Sequence, residues 1–324
     1  MPSIVNSRRG ARPASRGESA WYRAAVLVLA AWLLAGWAPG SADAQVVLRW
    51  KFKPNETLRY SMELKIAMTA RGPERTDKQT RSQTSEMTWK VNSVTGDGQA
   101  EITQRTDRVR LRVEAPPFMP FEFDSDHPQA EVPEPFQAEA QTMRAMVGSE
   151  FTFRMKPTGA IEDIRFSEQT LKALREAASR GAPGAEVSEK LLKDMLLQSS
   201  PPAFPSSPLE PGKSWSDKPA RMPGPMGTMV IDKAFTFQGP DPKDPRLMLI
   251  GVDTKVALEP AAGAGLTAEI RKQEGKGTMT FDAEAGHVAS TRGTQKTEMT
   301  ITVMDQRIEQ VVETTTAMTL VPQQ

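Results

Sequence analysis

Leu58, Tyr60, Met62, Leu64, Ile66 and Met68 stand two residues apart, with mostly polar or charged residues between them. A period of two places all six on one face of a long strand and leaves the other face to water. The pattern returns at Met87, Trp89 and Val91, and again at Val109, Leu111 and Val113, which alternate with Arg108, Arg110 and Arg112. Ala100, Ile102 and Gln104 have the opposite parity to Val109 onward. One extra residue near Thr106–Asp107, a bulge, is the simplest way to keep both sets on one face.

Turn composition joins these runs. Thr95-Gly96-Asp97-Gly98 predicts a hairpin, as does Pro157-Thr158-Gly159 between Phe151/Phe153/Met155 and Ile161/Ile164. A third is expected at Asp282–Gly286, between Met279/Phe281 and Val288. Further strands are expected at Met229/Ile231/Phe235/Phe237, over Leu247–Leu258, at Met299/Ile301/Val303 and at Ile308/Val312/Met318/Leu320. Helical spacing is confined to the middle of the chain. Phe136, Ala140, Met143 and Val147 form one stripe, stopped by Gly148. Glu168–Arg180, capped by Ser167, carries Leu171, Leu174 and Ala178 on one face. Glu186–Gln198 is expected to bury Val187, Leu191, Met195 and either Leu192 or Leu196. Residues 199–212 (SSPPAFPSSPLEPG) form a Pro/Ser-rich connector in which proline removes amide donors and fixes φ, so neither helix nor inner strand persists.

The N-terminus predicts a destination. Arg8, Arg9, Arg12, Arg16 and Arg23 precede an apolar run from Ala24 to Trp37, then Pro39-Gly40 and Ala42-Asp43-Ala44. These are the parts of a secretory signal peptide, and the apolar run is shorter than the roughly 17–25 residues a membrane-crossing helix needs. Cleavage is expected between Ala44 and Gln45, giving a periplasmic or secreted chain with no membrane span. Removing residues 1–44 takes away five basic and two acidic residues and moves the formal charge from +1 to −2. Near-neutral, interspersed charge gives no footprint for nucleic acid. With no cysteine in the sequence, disulfides, thiolate catalysis and cysteine zinc sites are excluded.

Catalytic readings find little support. The two histidines, His127 in Asp124-Ser125-Asp126-His127-Pro128 and His287 after Gly286, are expected to be solvated turn residues. No GxSxG or SxxK motif occurs, and Gly212-Lys213-Ser214 lacks the upstream glycine of a phosphate-binding loop. The acids Glu114, Glu122, Asp124, Asp126, Glu131 and Glu134 suit a solvated loop better than a calcium site. Met222, Met226 and Met229, near Met248, offer thioether ligands to Cu(I), yet methionine lines the strands generally. No catalytic residue, metal or cofactor is expected.

Lys53-Pro54-Asn55-Glu56-Thr57-Leu58-Arg59-Tyr60, Gly96-Asp97-Gly98, Pro157-Thr158-Gly159-Ala160-Ile161 and Pro211-Gly212-Lys213-Ser214-Trp215 occur in that order. In these stretches the chain resembles an uncharacterised family of exported bacterial proteins, a domain of unknown function. The resemblance implies extracytoplasmic location and β structure, and transfers no site residue. The expected fold is α+β and β-rich: long curved antiparallel sheet with a few covering helices, in two related halves, 45–198 and 213–324, joined by the connector. In outline this is similar to the half-barrel of envelope lipoprotein carriers, a likeness of architecture only. Two functions follow from it. The strand of Leu58, Tyr60, Met62, Leu64, Ile66 and Met68 faces an apolar ligand, whether lipid, lipidated chain or extended peptide. Alternatively, the sheet serves a structural or protein-interaction module of the envelope, without a pocket. A hydrolase is the least supported reading.

Overall fold

Strands dominate wherever the period of two is written. The computed structural model describes residues 45–127, 132–181, 188–224, 227–260, 266–303 and 306–322. The leader expected over 1–44, with Ala44, lies outside the described residues. The first strands are β1 (Thr57–Arg71), β2 (Thr76–Val94), β3 (Ala100–Glu114) and β4 (Phe121–Asp124). A 3₁₀ turn (Glu134–Phe136) leads into α1 (Gln137–Met146), followed by β5 (Glu150–Met155) and β6 (Ile161–Phe166). Two helices come next, α2 (Glu168–Gly181) and α3 (Glu189–Ser199). The rest is β7 (Ser214–Ser216), β8 (Ala220–Gly224), β9 (Gly227–Pro240), β10 (Leu247–Pro260), β11 (Leu266–Asp282), β12 (His287–Val303) and β13 (Gln306–Val321).

All thirteen strands among the described residues belong to one antiparallel, curved, open sheet in the order β6-β5-β3-β2-β1-β13-β12-β11-β10-β9-β7, with β4 on β3 and β8 on β9. The first and last long strands meet at its centre, from Arg59 opposite Val321 to Arg71 opposite Glu309. The backbones of β11 and β12 come unusually close at one pair of glycines. A Cβ on Gly277 would stand 2.7 Å from the Arg292 carbonyl oxygen and 3.3 Å from the Gly293 Cα, so only glycine admits this approach of backbones. The bulge expected near Thr106–Asp107 is present. Glu86 faces Arg108 and Met87 faces Thr106, so Asp107 is the extra residue. Both Ile102 and Val109 are thereby buried on the same face.

Two apolar clusters hold the sheet. The larger gathers Trp50, Leu58, Tyr60, Trp89, Ile102, Phe153, Phe235, Ile250, Phe281 and their neighbours at one end of the strands. The smaller packs the 3₁₀ turn and α1, through Phe136, Ala140 and Met143, against Val109, Leu111, Val113, Phe121 and Phe123 at the other end of β3 and β4. The stripe read for α1 is thus present, and Gly148 (φ 72°) lies just beyond it. Ser167 caps α2, its Oγ accepting from the Thr170 amide at 3.1 Å.

For α3 the expectation needs correction. Its cap is Ser188, whose Oγ accepts from the Leu191 amide at 3.1 Å, and none of its residues is fully buried. Met195, expected inside, is 46 % exposed. The helix packs against β6 and β8, at opposite sides of the sheet, so it bridges a seam instead of covering a face. Such a position buries only part of any stripe. Val187 and the side chain of Ala178 lie outside the described residues.

Two extended segments close the end that holds the larger cluster. Residues 45–53 form a strap in which consecutive amides reach different hairpins: Trp50 donates to the Pro157 carbonyl at 2.7 Å and Lys51 to the Gly286 carbonyl at 3.1 Å. The connector follows beside it, with Leu209 pairing with Val46 and Phe204 donating to the Thr158 carbonyl at 2.7 Å. Phe204 and Leu209 are buried, so the connector is part of the core. The proline-led turns at Lys53–Glu56 and Glu210–Lys213 share one geometry. Asn55 (φ 65°) and Gly212 (φ 88°) occupy the left-handed position, as a type II turn requires. Asn55 donates to Val91 and receives Val91 through Glu56. Gly212 donates to Phe237 and receives Phe237 through Lys213.

Candidate ligand-binding face

The six alternating residues of β1 fall into two groups. Leu58 and Tyr60 are buried beneath the strap, and the Tyr60 ring lies 5.2 Å from that of Trp89. Burial raises the Tyr60 hydroxyl well above the usual tyrosine range, with the Glu56 charge adding to it. Met62, Leu64, Ile66 and Met68 continue the same row, yet they are only half-buried and belong to neither apolar cluster. Arg59, Glu63 and Lys65 on the opposite face are exposed. One row of side chains thus passes from close-packed core to open apolar surface.

Register extends this surface across the sheet. Met68 lies opposite Val312 of β13, and Val312 opposite Thr297 of β12. Beyond them Met299 faces Ile270, and Ile301 faces Ala268. On the far side Val256 faces Ile231 and Leu258 faces Met229. Apart from the buried Thr297 and Ala268 these residues are half-buried. The result is a trough, apolar towards the rim remote from the strap. Sequence reading assigned a ligand-facing role only to β1, although the same signal stood in Met229/Ile231 and Met299/Ile301. Pairing order, which alternation does not encode, decides that these rows share one face.

A polar belt crosses the trough at one height. Lys233 of β9 lies opposite Thr254, Gly275 lies opposite Gln295, Gln295 opposite Thr314, and Thr314 opposite Ile66. Ile66 in turn faces Arg81 of β2, which is ion-paired with Glu139 of α1 and donates to Gln83 at 3.0 Å. The Gln295 amide nitrogen donates to Gln273 at 3.3 Å. Lys233 sits between the buried Phe235 and the half-buried Ile231 on its row, and its Nζ donates to the Gln198 carbonyl near the C-terminus of α3 at 2.6 Å. Burial lowers its pKa, partly offset by the charge of Asp217. Burial also raises the carboxyl of Asp217, against a hydrogen bond from the Ala203 amide.

The chemical candidates read from sequence resolve differently. His127 is an exposed turn residue, its side chain 81 % accessible, 3.7 Å from Asp124. His287 is not solvated, contrary to expectation. It is buried beside Trp50 and Phe52, and its Nε2 lies 2.8 Å from the Lys51 carbonyl and 3.6 Å from Glu56. The hairpin that carries it is roofed by the strap, a segment distant in sequence. Asp124, Asp126, Glu114 and Glu122 are matched to arginines. Arg108 grips Asp124 through two hydrogen bonds of 3.0 and 2.6 Å, and that contact is the largest cause holding the Asp124 carboxyl at about 2. Arg112 pairs with Glu114 and Glu122. Glu131 lies outside the described residues, as does Met226. Met222 lies opposite Met229, but Met248 is not near them. Met229 faces Leu258 and Met248 faces Pro240, ten positions apart along β10, or about 33 Å. Gly212-Lys213-Ser214 runs from a turn into β7, with no helix following.

The fold and this face define an open, curved antiparallel sheet, closed by a strap at one end and presenting an apolar trough towards the other. No helix among the described residues is long and apolar enough to cross a membrane. No family model matches the chain, and no curated protein matches it. Several solved structures show remote likeness. One, described as lipid–protein interactions in lipovitellin, aligns at 12% identity and TM-score 0.46 over 84% of this chain and 26% of that one. The chain therefore spans about a quarter of that structure's length. A domain assigned to outer membrane lipoprotein sorting, from Vibrio parahaemolyticus, aligns at 9% identity and TM-score 0.14 over 81% and 83% of the two chains. The MucA/MucB complex of Pseudomonas aeruginosa aligns at 8% identity and TM-score 0.11 over 80% and 88%. At these values the likenesses carry no argument about what this chain binds.

Proposed function

We propose that this is an exported, non-catalytic carrier that holds an apolar ligand, a lipid or acyl chain, in the trough of its sheet. The observation that carries the reading is the fate of one row. Leu58 and Tyr60 are packed to full burial, whereas Met62, Leu64, Ile66 and Met68 are left half-open on the inner face beside other open apolar rows. Contiguous exposed apolar surface costs about 25 cal/mol per Å² against burial, so a soluble chain keeps it where something is to cover it. An extended chain of methylenes fits a trough lined by methionine, leucine and isoleucine, since these make no directional demand. The reading is non-catalytic because His127 is solvent-exposed and His287 is locked under the strap. Export rests on the leader sequence, and N-terminal sequencing of the mature protein is expected to begin at Gln45.

Binding is tested with a neutral fluorescent apolar probe and with native mass spectra taken before and after lipid extraction. Leu64→Glu places a charge on the trough wall at a half-buried position. It is expected to weaken probe binding by at least about tenfold, since burying an unpaired charge costs well over 1.4 kcal/mol, while the melting temperature changes little. Identical native spectra together with no probe binding by the unaltered protein would leave the sheet a structural module.

A further inference from the structure

We infer that Lys233 is the anchor for the carboxylate of a long-chain fatty acid, whose alkyl chain lies along Ile231, Met229, Val256 and Leu258. This assignment rests on the trough reading and specifies its ligand. An ammonium group carries three donors and no acceptor. Among the described residues Lys233 spends one of them, on the neutral Gln198 carbonyl, and makes no ion pair within 4.0 Å. A half-buried amine on an otherwise apolar row is expensive unless an anion completes its shell. Asp217 is the carboxylate whose charge acts on it, but Asp217 is itself engaged by the Ala203 amide.

Position gives the ligand its polarity. Below Lys233 on the same row, Phe235 and Phe237 are buried and leave no room for a chain. Above it, Ile231 and Met229 are half-buried and face Val256 and Leu258. A bound amphiphile therefore has its head at the belt and its tail towards the open rim. Thr254, opposite Lys233, adds a hydroxyl to the head position. A single amine balances one negative charge at most, and the charge of Asp217 already acts on it, so the site favours the smallest anionic charge. A monocarboxylate fits this balance, and a phosphate monoester carrying up to two charges does not.

The test compares oleic acid with oleyl alcohol, and adds an oleyl phosphate arm, each displacing a neutral probe from the full mature chain at pH 8. The acid is expected to bind at least about tenfold more tightly than the alcohol, the size of a charge-assisted hydrogen bond. In Lys233→Met the alcohol is expected to bind as before and the preference for the acid to disappear, while Lys233→Arg retains it. Equal binding of acid and alcohol by the unaltered protein would overturn the anchor and leave the trough reading intact. So would a preference for phosphate over carboxylate, or an acid preference that survives in Lys233→Met. If neither acid nor alcohol displaces the bound probe, the anchor falls, and the trough reading is decided by the native mass spectra. The comparison within the unaltered protein decides the matter even if the methionine variant does not fold.

Discussion

His287 shows how one side chain ties two distant segments together. A carbonyl can only accept, so the imidazole Nε2 carries the proton it donates to Lys51, 236 positions away in sequence. Burial, the largest influence, lowers the pKa of the ring, with a small contribution from Lys53; Glu56, the Lys51 hydrogen bond and Asp282 pull it up. With the folded value depressed below the usual 6.5 or so, the unfolded chain binds more protons in that window. Stability from this group is therefore complete above about pH 6.5 and is lost as pH falls through the folded value. The urea midpoint is expected to drop between pH 7 and pH 5, and to drop less in His287→Gln, which keeps a donor but does not titrate. Parallel curves for the two proteins would refute the assignment. The residue types around His287 were legible as a hairpin turn, but the roof over it was not. Turn composition reports local backbone geometry and carries no information about which remote segment docks there.

At the scale of elements, the sequence was informative wherever a pattern is enforced by burial on one side. The parity change across β3 located its bulge because a one-residue slip would move every apolar side chain to the wrong face. Deleting Asp107 is expected to do that to one end of β3, turning either Ile102 or Val109, Leu111 and Val113 outward. A loss of at least about 3 kcal/mol in chemical denaturation is expected, as for removal of several core side chains, whereas Asp107→Ala should cost under about 1 kcal/mol. Equal effects of deletion and substitution would show that the extra residue does not set the register. Elements that lie across edges were read less well. The apolar residues of α3 look like any amphipathic stripe, and only the seam between β6 and β8 explains why Met195 stays outside. Much of the candidate site was legible in the same uneven way. Alternation identified the open row of β1, while Lys233 passed unnoticed because a lysine within a strand reads as an outward residue. Its inward placement follows from sharing parity with Ile231, Phe235 and Phe237.

For the whole molecule, the decisive contact is the pairing of β1 with β13 at the centre of the sheet. It joins the strands that precede the connector to those that follow it, over the whole stretch from Arg59 to Arg71. Removing residues 306–322 would leave β1 and β12 with bare backbone edges. The truncated chain is expected to lose its cooperative urea transition and to associate through those edges, as seen by light scattering. A sharp monomeric transition of unchanged midpoint would mean that the strands on either side stand alone. The same pairing has a consequence for biogenesis. Of the thirteen strands β13 is the last to leave the ribosome, and the place it must fill lies beside the first. Long-range ladders of this kind form slowly, because the entropy of closing the chain comes before any contact repays it. A nascent polypeptide of this topology stays unset until its final ladder partner emerges, and so remains a thread that a narrow translocation pore can still admit.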